Sequence, residues 1–297
     1  MKTVKGLHEK MGTFENANTS FHQAARCKRY TNEVLAFSMV KEEELLRATE
    51  EIQNLTYRQG EYKIFKVFEP KERLIMALPF YDRVVQHMIC NAIQPVFENG
   101  FYYHSYACRS GKGMHAASDT LYQWMYETEV KQGLRMYAFK GDISKYFASI
   151  PHDKLKDENR RYIGDKKALM LMDDIIDHNG ILPDGVGIPV GNLTSQLFAN
   201  VYGNKLDKFC KHVLHIPYFV RYMDDFIILS DDLEQLKEWV KRIEEFLENE
   251  MLLHINPKST ILYAGNGIDF CGYIHYADHK LSLIHISEPT RLALISY

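Results

Sequence analysis

The chain has 297 residues, of which 46% are hydrophobic and 25% are charged. This size and composition allow a sizeable core, which excludes an intrinsically disordered protein and predicts one large domain or two closely joined ones. The formal net charge of -3 gives no general attraction to nucleic acid, although a total can conceal local basic patches.

The cysteines and the apolar runs indicate the compartment. The five cysteines are scattered, with no pair at the spacing of a zinc site, so free thiols in a reducing compartment are expected. We find no signal peptide and no apolar run of the length needed to cross a bilayer. The sequence therefore predicts a soluble, cytoplasmic protein with no membrane partner.

The first part of the chain predicts helices followed by a ribbon of two strands. Residues 1–60 have apolar positions at helical spacing, most clearly over Lys41–Ile52. Residues 61–68 alternate with period two, and a turn at 69–72 returns the chain into a second strand over 73–78. Four basic residues lie along this antiparallel ribbon: Lys63, Lys66, Lys71 and Arg73.

The next segment predicts a helix, a basic loop and another helix. Apolar residues recur on one face over Phe80–Pro95. A loop with a glycine then carries Arg109 and Lys112 ahead of a helix over Met114–Val130. These two side chains suit phosphate groups, and a solvated loop explains them nearly as well.

Acidic residues end or interrupt the predicted strands in the second half of the chain. The strand over Arg135–Asp142 ends on an acid, and Tyr218–Leu229 predicts a hairpin with Asp224 and Asp225 at its turn. Adjacent acids repel each other, so a fold that keeps them there calls for a cation, although an isolated Asp-Asp pair is usually a polar turn. The turn lacks the Gly or Asn of comfortable two-residue hairpins, which indicates backbone strain.

Two helices are predicted around this hairpin. Gly185–Tyr202 is a glycine-rich loop that leads into a helix. After the hairpin, Asp231 and Asp232 can cap a helix over 233–251 whose apolar stripe would cover the sheet.

The stretch Tyr222-Met223-Asp224-Asp225 between apolar strands resembles the catalytic hairpin of reverse transcriptases. If the strand ending at Asp142 neighbours this hairpin in one sheet, three carboxylates meet. The resemblance then implies two Mg²⁺ ions, with Mn²⁺ as a possible substitute, about 3.5 to 4 Å apart. The expected metal ligands are Asp142, Ile143, Asp224 and Asp225.

The resemblance implies an α/β (α+β) fold, with a right-hand polymerase palm around a central antiparallel sheet, a fingers subdomain and a thumb that is largely absent. The expected ranges are an N-terminal helical segment over 1–60, fingers over 61–135 and palm over 136–280. Residues 281–297 are expected to be a non-native tail in place of the thumb, because Ser282–Arg291 resembles a translated sequencing adaptor.

The resemblance also implies roles for residues outside the acidic cluster. Lys71 and Arg73 would contact the triphosphate of the incoming nucleotide. Phe147 would block the sugar 2′-hydroxyl, although a packed core aromatic is the commoner fate of a phenylalanine. Lys258 would protonate pyrophosphate, and a surface lysine is equally plausible. The residues expected to contact template or primer are Arg109, Lys112, Tyr222, Met223, Phe270, Gly272 and Tyr273.

One block distinguishes subfamilies. Most reverse transcriptases carry Gln-Gly, three variable residues and Ser-Pro, where this chain has Val190, Gly191, Ser195 and Gln196 at the corresponding positions. This variant resembles the reverse transcriptases of diversity-generating retroelements, which copy a template RNA with frequent errors opposite adenine. The resemblance implies template RNA, primer and dNTPs as partners, together with a small basic accessory protein.

Two other interpretations compete with this one. The chain could be a related reverse transcriptase from a retron, a group II intron or a phage-defence system, against which the Val190–Gln196 block argues. It could instead be a non-catalytic RNA-binding scaffold, against which the intact acids argue.

Overall fold

A computed structural model of the chain describes residues 3–68 and 73–283, without the side chain of Arg73. The chain divides into two compact units, Met1–Phe101 with Lys145–Tyr202 and Tyr102–Ser144 with Gly203–Tyr297. Each unit is assembled from two separate stretches, so neither coincides with the expected 61–135 or 136–280 range. The expected tail from residue 284 onward lies outside the described residues.

The first unit begins with helices that pack around aromatic side chains. Their bounds are α1 Leu7–Met11, α2 Phe14–Ala24, α3 Asn32–Met39, α4 Lys41–Gln53 and α5 Phe80–Glu98. Phe37 lies between two other rings, 5.6 Å from Phe21 and 5.1 Å from Phe80 between ring centroids. Helix α4 confirms the helix predicted over Lys41–Ile52.

The predicted basic ribbon is present in the first unit. Strands β1 (Lys63–Val67) and β2 (Arg73–Ala77) pair antiparallel, with Val67 opposite Arg73. All five residues of β1 are exposed, so this ribbon buries no face of its first strand. Lys71 lies outside the described residues.

Further helices follow in both units. They are α6 Met114–Met125, α7 Tyr146–Ser149, α8 His152–Tyr162, α9 Lys166–Asp177, α10 Leu193–Lys208 and α11 Leu233–Phe246. Asp232 caps α11 by accepting hydrogen bonds from the N–H groups of Glu234 and Gln235, which confirms one of the two predicted caps. Among the described residues, no helix combines the length and apolar character required to cross a membrane.

The second unit contains the central antiparallel sheet that the sequence predicts. Its strands are β3 (Tyr137–Asp142), β4 (Tyr218–Tyr222), β5 (Asp225–Ser230) and β6 (Thr260–Tyr263), in the order β4-β5-β3-β6. Residues of β3 and β5 alternate between two sides of the sheet. Ala138 and Ile227 belong to a buried cluster with Leu121 of α6, whereas Phe139 packs against Phe226, with ring centroids 5.8 Å apart.

A second, three-stranded sheet completes this unit. Strands β7 (Ile268–Phe270), β8 (Tyr273–His275) and β9 (Lys280–Ser282) are antiparallel. The turn between β7 and β8 has φ values of 52° at Cys271 and 78° at Gly272. Two successive positive φ values are typical of the tight hairpin turns that match strand twist.

The glycine before Asp142 has a packing requirement that yields a prediction. A Cβ at Gly141 would overlap the ring of Phe226. We expect Gly141→Ala to lower the free energy of unfolding by about 1–3 kcal/mol, because the overlap forces the strand or the ring to move. Urea unfolding followed by circular dichroism measures the change.

Phe226→Leu provides the matched control. Without the ring, Gly141→Ala should lower the free energy of unfolding by less. The double variant should therefore be more stable than the sum of the two single changes in free energy predicts. Strict additivity would show that the two residues do not compete for this space.

Candidate active site

The hairpin turn between β4 and β5 is strained where the sequence predicts strain. Met223 has a φ of 59° and its side chain is buried. A residue with a Cβ pays about 1–2 kcal/mol in this left-handed region, which glycine would occupy freely. The surrounding structure therefore has to hold this turn, and with it Asp224 and Asp225.

The three predicted acids lie at one end of the central sheet. Asp142 and Asp225 are directly opposite each other in the pairing of β3 with β5. Opposed residues in an antiparallel pair have Cβ atoms about 4.5–5.5 Å apart. The backbone N–H of Ile143 donates to the carbonyl of Asp224 at 3.2 Å, which places the third acid beside the end of β3.

Electrostatics reflect this crowding. Burial, followed by the charges of Asp224 and Asp142, raises the pKa of Asp225 to about 6, and Lys140 opposes the shift. Like charges that share a site cannot all ionise without cost. A bound cation would reverse this sign and favour the ionised carboxylates.

A segment after α11 holds Asp142 in place. The Asn256 side-chain amide donates to Oδ2 of Asp142 at 2.6 Å, and the Asn256 backbone N–H donates to its carbonyl at 2.7 Å. The Asp142 N–H donates to Oγ of Ser259 at 3.0 Å. Sequence reasoning missed Asn256 and Ser259, although the turn-forming Asn256-Pro257 pair was a usable signal. Lys258, between them, is exposed.

The donor set suits a divalent cation, although the side chains do not surround a common point. Within residues 3–68 and 73–283, no three His, Cys, Asp or Glu side chains are arranged to hold a metal ion. Carboxylate and backbone carbonyl oxygens are the ligands that hard cations such as Mg²⁺ prefer. Asp142, Asp224, Asp225 and the carbonyl of Ile143 therefore fit the ion by chemistry and by their place at one end of the sheet.

The β7–β8 turn lies near the acids. Burial, followed by the charges of Asp225 and Asp269, raises the pKa of Cys271 to about 12. Phe270 is buried, Gly272 takes its positive φ in the turn, and the Tyr273 hydroxyl is 3.1 Å from Nδ1 of His115. This predicted primer-gripping turn is thus within electrostatic range of Asp225.

Tyr222 is the last residue of β4, directly before the turn that carries Asp224. Its side chain is partly buried, and burial, followed by Cys108 and Cys271, raises its pKa. The neutral phenol is therefore the form present at neutral pH.

The predicted phosphate-binding side chains of the basic loop contact the loop itself. Nη1 of Arg109 donates to the carbonyls of Tyr102 and Ser105, both at 2.7 Å. Nζ of Lys112 donates to the carbonyl of Tyr103 at 3.0 Å and lies 3.5 Å from the centroid of its ring. Both cations thus maintain the loop conformation, a function that sequence reasoning did not anticipate.

Backbone hydrogen bonds of the first unit fix two residues predicted to face the nucleotide, Phe147 and Val190. The carbonyl of Phe147 accepts from the N–H of Ile188 at 2.8 Å, and the carbonyl of Val190 accepts from the N–H of Met76 in β2 at 3.0 Å. Gly191 has a φ of 121°, and a Cβ there would lie 3.0 Å from the Met76 carbonyl oxygen. This glycine therefore permits the close approach of the loop to β2.

The remaining predicted contacts of the first unit are placed as follows. Phe147 is partly exposed, so its side chain is not fully packed into the core. At the start of α10, Ser195 is buried and Gln196 is partly exposed. Only the backbone of Arg73 is described, at the first position of β2.

Comparison with known families and curated proteins gives consistent matches. Residues 66–275 match the family described as reverse transcriptase (RNA-dependent DNA polymerase). Protein YkfC of Escherichia coli is 25% identical over 238 residues, covering 65% of this chain and 60% of that protein. An uncharacterized 91 kDa protein in the cob intron of Schizosaccharomyces pombe is 29% identical over 137 residues, covering 44% of this chain and 16% of that protein.

A third curated relative also comes from an intron. The putative COX1/OXI3 intron 2 protein of Saccharomyces cerevisiae is 22% identical over 254 residues, covering 65% of this chain and 29% of that protein. The chain thus spans less than two thirds of the length of each of these three relatives.

Solved structures show the same fold. Apo telomerase from Candida tropicalis, truncated from its C-terminal domain, gives a TM-score of 0.55 at 14% identity, covering 75% of this chain and 54% of that one. Telomerase from Candida albicans in complex with the TWJ fragment of telomeric RNA gives 0.55 at 12% identity, covering 77% and 47%. At these identities the likeness concerns the fold alone.

The raised pKa of Asp225 predicts a pH-dependent effect on stability. Its folded pKa of about 6 lies above the ordinary value of about 3.9, so its contribution to stability is complete below pH 4 and is lost as the pH rises through about 6. In EDTA near pH 7.5, we expect Asp225→Asn to raise the free energy of unfolding by about 1–3 kcal/mol. Near pH 4.5 the difference should shrink, as urea unfolding at both pH values would show.

Adding Mg²⁺ should reverse the order of stability, because a cation that binds the folded state stabilises the wild type more than the variant. Asp231→Asn, at an exposed acid after the same strand, is the matched control and should respond to neither change. A wild type that equals the variant in EDTA near pH 7.5 would contradict the crowding of the three acids.

Proposed function

The chain belongs to the reverse transcriptase family, and from this premise we propose that it synthesises DNA on an RNA template by two-metal nucleotidyl transfer. The observation that carries the proposal is the pairing of Asp142 with Asp225 across neighbouring strands, with Asp224 in the adjoining strained turn. Template RNA, a primer and dNTPs are the substrates that this reaction requires.

The proposed chemistry assigns work to the residues around the acids. Two divalent cations, when bound, would activate the primer 3′-hydroxyl and neutralise the departing pyrophosphate. Asp142, Asp224 and Asp225 hold the charge that such ions need, and the carbonyl of Ile143 adds a neutral oxygen. Asn256 keeps the Asp142 carboxylate in one orientation, which lowers the cost of ordering it when a ligand binds.

Contacts to the nucleic acid are proposed for residues near the acids, in the basic loop and in the basic ribbon. Met223 and Tyr222 adjoin Asp224, and the Phe270–Tyr273 turn contains Cys271, whose pKa is raised in part by the charge of Asp225. These residues are proposed to position the primer end. Lys258 is exposed and suits proton donation to pyrophosphate. The proposed template contacts in the basic loop are Arg109 and Lys112, and the proposed triphosphate contacts in the ribbon are Lys71 and Arg73.

Selection of the incoming nucleotide is proposed for residues of the first unit. Phe147 is partly exposed and its backbone is fixed by Ile188, so its ring is suited to exclude a 2′-hydroxyl. Val190 and Gly191 are proposed to contact the nascent base pair, and Ser195 and Gln196 to support that loop from α10.

The subtype is proposed from the same loop. The Val190–Gln196 block supports an error-prone enzyme of a diversity-generating retroelement, for which a small basic accessory protein is a proposed partner. A second candidate is an intron-encoded reverse transcriptase, because two of the relatives above are named for introns. The two candidates share the acids and differ in the error spectrum expected opposite template adenine.

Primer extension tests the activity. With poly(rA) template, oligo(dT) primer, dTTP and Mg²⁺, we expect the chain to extend the primer. Asp224→Asn should reduce the rate by at least about a hundredfold, because it removes a charge from the metal-binding cluster.

Asp231→Asn is again the control and should extend the primer at the wild-type rate. Extension that persists in Asp224→Asn would contradict the assigned acids. Wild-type protein that binds Mn²⁺ without extending any primer would favour the non-catalytic RNA-binding alternative.

Val190→Gln tests the proposed error-prone subtype. The substitution introduces the amide that most reverse transcriptases have at this position, and we expect fewer misincorporations opposite template adenine because the nascent base pair is then braced by a polar group. Sequencing of products from a mixed-sequence RNA template measures the spectrum. Asp231→Asn, outside this block, is the control and should leave the spectrum unchanged. An unchanged spectrum in Val190→Gln would refute the link.

A further inference from the structure

An arginine without solvent exposure lies in β4, immediately before Tyr222. Nε of Arg221 donates to Oδ1 of Asp207 at 2.6 Å, and Nη2 donates to Oδ2 at 2.7 Å. Both side chains are 0% exposed. This two-pronged geometry is specific to the planar guanidinium, which a lysine does not reproduce.

The same guanidinium reaches the catalytic turn. Nη1 of Arg221 donates to the carbonyl oxygen of Met223 at 2.8 Å, and Nη2 donates to Oγ of Ser105 at 3.1 Å. The carbonyl that it binds belongs to the residue with a φ of 59°. This hydrogen bond fixes the peptide plane between Met223 and Asp224, which sets the direction of the first acid in the turn.

The backbone of Arg221 is also held in place. Its N–H donates to the carbonyl of His104 at 3.0 Å, and its carbonyl accepts from the N–H of Tyr106 at 3.0 Å. The segment that leads into the basic loop therefore hydrogen-bonds to the outer edge of β4 at Arg221 itself. Arg221 cannot shift along its strand without breaking these bonds.

A buried ion pair is weak evidence for stability. Removing two charges from water costs several kcal/mol, and replacement of such a pair by apolar residues of similar size is often neutral or stabilising. The position of the Arg221–Asp207 pair is more informative about its role than its contribution to stability, because Arg221 also binds the carbonyl of the strained turn.

We propose that Arg221, oriented by Asp207, is a positioning residue that keeps Met223 in the left-handed conformation and thereby aims Asp224 and Asp225 at the metal ions. The proposal deepens the proposed function and rests on it, since the acids are taken as the metal ligands. Neither side chain contacts the reacting atoms in this assignment.

The test removes the Arg221–Asp207 pair and, in a second step, relieves the backbone strain at Met223. Arg221→Met with Asp207→Leu removes the pair without leaving a lone buried charge. We expect this variant to remain folded and to bind Mn²⁺, measured alone by isothermal titration calorimetry, about tenfold more weakly than the wild type. Adding Met223→Gly should restore part of this affinity, because glycine adopts the positive φ without a brace.

A matched control and a conservative variant accompany the test. Arg160→Met with Asp173→Leu removes an ion pair from the first unit, where Arg160 is exposed, and should leave Mn²⁺ affinity unchanged. Arg221→Lys keeps the charge opposite Asp207, but a lysine cannot hydrogen-bond both Asp207 oxygens and the Met223 carbonyl in the same geometry. It should therefore also weaken Mn²⁺ binding. It provides the measurement if the apolar pair fails to fold.

The outcomes separate this proposal from the polymerase assignment. Unchanged Mn²⁺ affinity in the folded Arg221 variants, or a loss that Met223→Gly does not relieve, overturns the positioning role. If the wild type extends no primer but its Mn²⁺ affinity responds as expected, the polymerase proposal fails and the positioning role stands. If the wild type binds no Mn²⁺, hydrogen exchange of residues 218–229 without metal decides, and exchange that does not accelerate in Arg221→Lys overturns the proposal.

Discussion

The antiparallel register between β3 and β5 is the constraint on which the candidate site depends. A slip of one residue would turn the Asp142 side chain to the opposite face of the sheet and separate it from Asp225. Packing sets this register, because the Phe226 ring occupies the space that a side chain at Gly141 would need. The same strands that bury aromatic rings on one side thus bring two carboxylates together at their ends.

This arrangement costs stability, and the cost is local. Asp225 is partly buried beside two other acids, and the neighbouring Met223 has an unfavourable φ. Strained backbone and crowded like charges persist only where the surrounding structure holds them, which is typical of functional sites. Here the surroundings are a large apolar core under the sheet, the Asn256 amide on Asp142 and the Arg221 guanidinium under the turn.

Local sequence patterns predicted the elements that local physics controls. Periodicity predicted α4, alternation predicted the first strand of the β1–β2 ribbon, and the side-chain oxygen of Asp232 marked the start of α11. The missing glycine in the hairpin turn correctly indicated strain at Met223.

Contacts between distant segments were beyond such patterns, because they depend on register and packing rather than on neighbours in sequence. Asn256 reaches Asp142 across 114 positions, and Arg221 reaches Ser105 across 116. For the same reason, the sequence did not reveal that the Arg109 guanidinium binds two carbonyls of its own loop. At Val190, tertiary contacts fix the backbone without using the side chain. Its carbonyl accepts the hydrogen bond from Met76, and the next residue, Gly191, approaches the same strand closely. The Val190 side chain can therefore change without altering these contacts of the loop.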